Sequence, residues 1–236
     1  MRFEQYEILD IKPEVTDVFL LRIKPKRNKR IPLFKPGQYY HIKDPANNAP
    51  DVTRAFSVLR SKMHGGFLEF YIKSYGPFTK KLLTKKRGES IWLFGPMGRF
   101  TLPDETTHAV FLAGGVGITP ALSIIQSLHD TRNKMPITLI YANKSQDTIL
   151  KRSEIENIFE QRTNSKLIHV ISRAKSEKEW SGYRGYIDLA LLEREVEIAA
   201  KPTFFLSGSQ NFTNNMYALL MQRNIESTSI KQEIFS

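Results

Sequence analysis

Ala109-Val-Phe-Leu-Ala-Gly-Gly-Val-Gly-Ile-Thr-Pro120 is an apolar run that breaks into three glycines and resumes as the head of an amphipathic stretch marked by Leu122, Ile125 and Leu128. A short apolar run bounded by glycine predicts a buried strand, and apolar residues three apart predict a helix. The segment therefore predicts strand, tight turn, helix. Gly114, Gly115 and Gly117 let the backbone turn sharply and approach a ligand closely. Thr119 suits the helix cap and Pro120 the first helical position, where no N–H is missed. A helix start of this kind offers free N–H groups to an anion. Glycine patterns alone are weak: the same residues fit a strand-to-helix turn with no ligand, and the spacing is not GxGxxG.

Toward the carboxyl terminus a second apolar run, 137–141, completes a βαβ unit. The alternation continues with a helix near 153–159, a strand at 167–171, a helix near 188–194, a strand at 203–206, a helix at 213–223 and a last strand at 229–235. Residues 105–236 thus read as a Rossmann-like α/β domain of about five parallel strands with helices on both faces. Toward the amino terminus the texture differs. Short β-branched or aromatic runs at 6–11, 18–23, 39–42, 54–59, 67–72 and 90–94 are separated by turn signals such as Lys35-Pro36-Gly37 and His64-Gly65-Gly66. Six runs at this spacing predict a small antiparallel β-barrel over 1–104.

A hydrophobic fraction of 41% and a charged fraction of 25% are those of a globular chain, which makes disorder a poor reading. The absence of cysteine excludes disulfides, thiolate zinc sites, a cysteine nucleophile and cysteine-ligated iron–sulfur clusters from these 236 residues, and no metal site is expected. The amino terminus mixes charge into every short window, unlike a signal peptide, and no window approaches a membrane span, so a cytoplasmic monomer is expected. The net charge of +11 gathers partly in Arg22, Lys24, Lys26, Arg27, Lys29 and Arg30 and in Lys80, Lys81, Lys85, Lys86 and Arg87. An acidic partner or a phosphate fits this excess, and so do solvated basic turns. Nucleic acid fits poorly, because the basic residues are not interleaved with aromatics and no recognition signature appears.

Two further pieces point to an anionic, aromatic ligand. Arg54-Ala55-Phe56-Ser57 lies on a strand whose period puts Arg54 and Phe56 on one face, a guanidinium beside a ring. A surface arginine beside a core phenylalanine has the same spacing. Lys73 to Leu82 reads as strand end, glycine turn at Gly76 and a short helix capped by Thr79, with Lys80 and Lys81 adding positive potential at its start.

Taken in order, Arg54 to Ser57, Gly76 to Thr79, Gly114 to Pro120, Ser207-Gly208-Ser209 and Glu233-Ile234-Phe235 resemble the motif series of the ferredoxin–NADP reductase superfamily over nearly the whole chain. The resemblance implies an FAD-binding barrel followed by an NAD(P)-binding domain, with hydride passing from NADPH to the flavin and electrons passing on to a ferredoxin- or flavodoxin-type carrier. It implies that Arg54 contacts the flavin pyrophosphate, Phe56 lies against the isoalloxazine and Ser57 bonds near flavin N5. Gly76 and Thr79 would complete the diphosphate site. Gly114, Gly115, Gly117, Thr119 and Gly208 would receive the dinucleotide, while Ser207, Glu233 and Phe235 would lie near the reacting rings. Three residues depart from the family: Phe56 replaces a tyrosine, Ser207 a cysteine and Ser209 a proline. Ser172-Arg173, with Arg184 as a further charge, stand where the family grips a 2′-phosphate, which implies NADPH over NADH. A free-flavin reductase, a reductase component of an oxygenase and an electron-transfer subunit are the alternatives; Gly76 and Thr79 argue against the first.

Overall fold

The computed structural model describes residues 2–26, 30–44, 52–62, 66–174 and 180–235. Arg27, Lys29, Lys175 and the turn residues His64 and Gly65 lie outside the described residues. The chain divides into two units, Met1–Thr101 and Leu102–Ser236.

The first unit contains β1 (Glu4–Val15), β2 (Val18–Pro25), β3 (Tyr39–Lys43), β4 (Thr53–Ser57), β5 (Arg60–Lys62), β6 (Phe67–Lys73), helix α1 (Pro77–Leu83) and β7 (Ser90–Met97). The strands form one antiparallel sheet in the order β4-β3-β7-β1-β2-β6-β5. The run expected over 54–59 is divided: Val58 donates its N–H to Gln38, next to β3, and Leu59 donates to Glu69 on β6, both at 2.9 Å. Two consecutive residues therefore join the two edges of the sheet, and the sheet curls into a barrel-like form. Alternate residues point inward, so Ile8, Phe19, Leu21, Ile23, Tyr40, Ile42, Leu68, Phe70 and Ile72 share one core. Each such burial stabilises the fold by roughly 1.5–3 kcal/mol.

The sheet also accounts for part of the basic excess. Arg22 on β2 faces Glu69 on β6, and its Nε donates to Oε1 at 2.7 Å. Lys81 and Lys85 lie 3.6 and 3.0 Å from the buried carboxylate of Asp44. Lys24 lies 3.6 Å from Glu7. These four side chains thus have acidic partners remote in sequence, which neither reading of the basic groups named.

The second unit contains β8 (Ala109–Gly114), α2 (Ile118–Asp130), β9 (Ile137–Asn143), α3 (Arg152–Glu160), β10 (Ser165–Ile171), β11 (Tyr183–Arg184), α4 (Leu189–Glu195), β12 (Thr203–Ser209), α5 (Gln210–Gln222) and β13 (Ile230–Phe235). The strands form one parallel sheet, β11-β10-β9-β8-β12-β13. Two-residue β11 joins the five strands expected. Val110, Leu112, Ile140, Val170, Phe204 and Leu206 bury one face under Leu191 and Leu192 of α4 and Met216 and Leu220 of α5. On the other face the rings of Phe111 and Phe205 stack at 4.8 Å. Strand order reverses between β8 and β12, so their carboxyl ends open the crevice where α/β sheets bind ligands. No helix among the described residues is long and apolar enough to cross a membrane.

Candidate functional site

In the first unit β4 holds Arg54 exposed, its guanidinium donating to the Thr53 carbonyl at 2.9 Å. Phe56 packs partly against the barrel core, and its ring stacks on Phe78 of α1 at 6.4 Å and 17°. Nothing in the sequence marked Phe78 beyond its being aromatic near a helix start. Ser57 is buried, and its Oγ finds no hydrogen-bond partner among the described residues. A buried unpaired hydroxyl costs about 1–3 kcal/mol, so a ligand atom that bonds it is stabilised by relieving that cost.

The cap of α1 differs from the sequence reading. Gly76 is the N-cap and Thr79 lies three residues on. The Thr79 hydroxyl accepts from the N–H groups of Tyr75 and Gly76 at 3.0 and 3.2 Å and donates to the Gly76 carbonyl at 3.1 Å. Thr79 therefore shapes the turn and leaves the helix start without a side-chain cap. The same correction applies to Thr119. Gly117 is the N-cap of α2, and the Thr119 hydroxyl donates to the Val116 carbonyl at 2.8 Å, fixing the 3-10 turn Gly115–Gly117.

The glycines of the second unit have separate reasons. Gly115 takes φ +54, the left-handed region that disfavours side chains. Gly117 approaches β12 so closely that a Cβ there would lie 2.6 Å from Gly208 Cα and 2.7 Å from the Ser207 carbonyl oxygen. Tyr141 ties the loop down from below, donating to the Gly115 carbonyl at 3.1 Å and accepting from Leu150 at 3.3 Å. Burial holds its phenol above the ordinary tyrosine range, so it stays a neutral donor. Ser209 caps α5, accepting from the Phe212 N–H at 3.3 Å, which gives the serine a local use.

Beside the loop, Ser207 of β12 pairs in register with Ala113 of β8 and with Glu233 of β13. Its Oγ is buried and finds no partner among the described residues. Burial pushes the Glu233 carboxyl up to about 7 from 4.5. The folded chain then holds a proton that the unfolded chain releases between pH 4.5 and 7, so stability is lost as pH rises through that window. Glu233→Gln should remove this slope: melting temperatures across pH 4 to 8 should show a gain over the parent at the alkaline end and none at the acid end. Parallel curves for the two proteins would contradict the assignment. Phe235, two residues on, pairs in register with Ser209.

At the other end of the crevice the loops after β9 and β10 are laced together, with Ser172 N–H donating to the Asn143 carbonyl and Arg173 N–H to that of Lys144, both at 2.9 Å. Parallel pairing sets Arg184 beside Ile171. Here lies a cavity of about 210 Å³. Arg173 lines it, as do Asp147 and Trp180, neither of which the sequence reading named. Ser172 is half-buried next to it.

The oxidoreductase FAD-binding domain matches residues 7–102, and the oxidoreductase NAD-binding domain matches residues 111–217. The glycine betaine monooxygenase reductase subunit of Pseudomonas aeruginosa is 25% identical over 214 residues, which are 86% of this chain and 56% of that protein. NADH-cytochrome b5 reductase 1 of Candida glabrata is 33% identical over 132 residues, 54% of this chain and 46% of the relative. The chain thus spans about half the length of the curated relatives it matches. Among solved structures, the cytochrome b5 reductase domain of Ulva prolifera nitrate reductase shares the fold, with a TM-score of 0.86 at 20% identity over 98% of this chain and 97% of that one. With the two domains following in this order along the chain, the chain belongs to the ferredoxin–NADP reductase superfamily.

Proposed function

We propose that the protein is an FAD-containing NAD(P)H oxidoreductase that prefers NADPH and delivers electrons to an acidic carrier of the ferredoxin or flavodoxin type. One contrast among the helices carries the reading. Helix α3 has Glu154 in its first turn, and α4 and α5 are capped by the side chains of Asp188 and Ser209. The helices α1 and α2 each begin on glycine, with no side-chain cap and no acid in the first turn. Their positive dipole ends favour anions at the two places where the resemblance puts the two diphosphates.

FAD, when bound, supplies the exchange between two-electron and one-electron chemistry. The chain supplies the rest. Arg54 would neutralise the flavin diphosphate, and Gly76 would present the turn that Thr79 holds. Phe56, braced by Phe78, would lie against the ring system, and the unpaired Ser57 hydroxyl would bond near N5. In the second unit Gly114, Gly115 and Gly117 would receive the nicotinamide dinucleotide, with Thr119 holding the loop. Gly208 would let it pass over β12. Ser172 and Arg173 would grip the 2′-phosphate. Ser207, its hydroxyl free of protein partners among the described residues, would meet the nicotinamide end. Glu233, its carboxyl pushed up by burial, would hold or release a proton there, and Phe235 would cover the ring. No nucleophile or metal is called for.

The monooxygenase reductase subunit among the relatives fits a role as the reductase of an oxygenase. Steady-state assays test the proposal. Reduction of ferredoxin or flavodoxin should slow steeply with rising ionic strength, while reduction of a small neutral acceptor changes little. Catalytic efficiency should be higher with NADPH than with NADH. Equal salt dependence for both acceptors would contradict the acidic carrier, and a preference for NADH would contradict the coenzyme choice.

A further inference from the structure

Among the described residues, the cavity beyond β9 and β10 is lined by charges of opposite sign. Arg173 stands on the wall after β10. Asp147 faces the same space from the 3-10 turn Gln146–Thr148, and that turn is rigidly held: the Thr148 hydroxyl accepts from the Ser145 N–H at 3.3 Å and donates to the Ser145 carbonyl at 2.7 Å. Both charged side chains are exposed. A cavity of about 210 Å³ is too small for a carboxylate and a guanidinium on its walls to act independently on an ion placed inside it. The third wall is aromatic and fixed. Trp180 carries the Arg152 guanidinium 5.1 Å from its ring centroid, meets the His169 ring edge-on at 6.2 Å, and packs where a Cβ on Gly182 would come within 2.8 Å of its Nε1.

We propose that Asp147 is a specificity-determining residue: its carboxylate offsets Arg173, so that the cavity admits the adenosine end of the coenzyme with either a 2′-hydroxyl or a 2′-phosphate, the purine lying along Trp180. This rests on the NAD(P)H reading above. A phosphate of nearly two negative charges is drawn by Arg173 and opposed by Asp147. A 2′-hydroxyl loses nothing to the acid and can donate to it. The residue therefore lowers discrimination rather than affinity as such. Its position was invisible in the sequence, because 25 residues and a helix separate it from the arginine that it opposes.

The test uses the full chain loaded with FAD and two probes, 2′,5′-ADP and 5′-ADP, titrated by calorimetry and by tryptophan fluorescence. The chain holds two tryptophans, Trp92 and Trp180, so a Trp92→Phe background leaves Trp180 as the reporter. Asp147→Asn should tighten 2′,5′-ADP by about fivefold and change 5′-ADP by less than about twofold. Arg173→Ala should weaken 2′,5′-ADP by about tenfold or more, again sparing 5′-ADP. Both probes should quench the Trp180 emission. An affinity ratio unmoved by Asp147→Asn, with both probes still binding, overturns the role of Asp147 alone. Heat of binding without quenching overturns Trp180 as the wall. A parent that binds neither probe overturns the dinucleotide reading itself, and with it this inference.

Discussion

Gly117→Ala is expected to destabilise the second unit by about 3 kcal/mol or more and to abolish binding of the nicotinamide dinucleotide. Gly117 has φ −63, which alanine adopts freely, so backbone strain does not enter. The cost is steric. The new methyl would sit 2.6 Å from Gly208 Cα, 2.7 Å from Gly208 N and 2.7 Å from the Ser207 carbonyl oxygen. All three are backbone atoms of β12, which β8 and β13 hold from either side, so no side chain can swing away. Relief requires moving the loop, and with it the start of α2. Gly115→Ala is the internal control. Its Cβ would meet nothing within 4 Å, and the penalty reduces to the left-handed φ of +54, about 1 kcal/mol. Urea unfolding and calorimetric titration with NADPH on both variants make the comparison. Near-equal stabilities, or retained coenzyme binding in Gly117→Ala, would show that the loop does not depend on close approach to β12.

Arg54→Ala should weaken FAD binding by about tenfold or more while changing apo-protein stability by less than about 0.5 kcal/mol. The guanidinium is exposed and bonds the carbonyl of the residue before it, so its removal opens no cavity. Its proposed use is a charge-assisted contact to a phosphate, the kind of interaction whose loss is felt in ligand affinity and little in folding. The contrast with Arg22 makes the point. That arginine pairs with the buried Glu69, and truncating it would strand a carboxylate inside the sheet. Flavin content after gel filtration, read beside thermal melts of the apo-protein, separates the two effects. Full flavin retention in Arg54→Ala would mean that the arginine serves the surface and not the cofactor.

The strand-turn-helix at 109–130 was legible because a buried parallel strand is a continuous apolar run and glycine marks its end. What local pattern does not locate is the first helical turn. Thr79 and Thr119 both read as caps, yet each lies inside its helix and bonds a backbone group of the preceding turn. The cap is set by where the chain leaves the strand, and glycine at 76 and 117 takes that place in both cases. The break between β4 and β5 was equally hidden, since Val58 and Leu59 are as apolar as the strand they interrupt. Only their bonds to Gln38 and Glu69 reveal that the sheet changes edges there. Asp147 and Trp180 escaped notice for the same reason as the Asp44 partners of Lys81 and Lys85: cavities and ion pairs are assembled from segments far apart in sequence.

Flavin reduction is tested most directly by the visible absorption of the purified protein, supplied with FAD and then treated anaerobically with NADPH and, separately, NADH. The bound flavin should be released by heat as FAD and not FMN, and its visible band should bleach on adding coenzyme, faster with NADPH. A colourless protein that takes up no FAD, or a flavin-loaded protein whose band neither coenzyme changes, would contradict it.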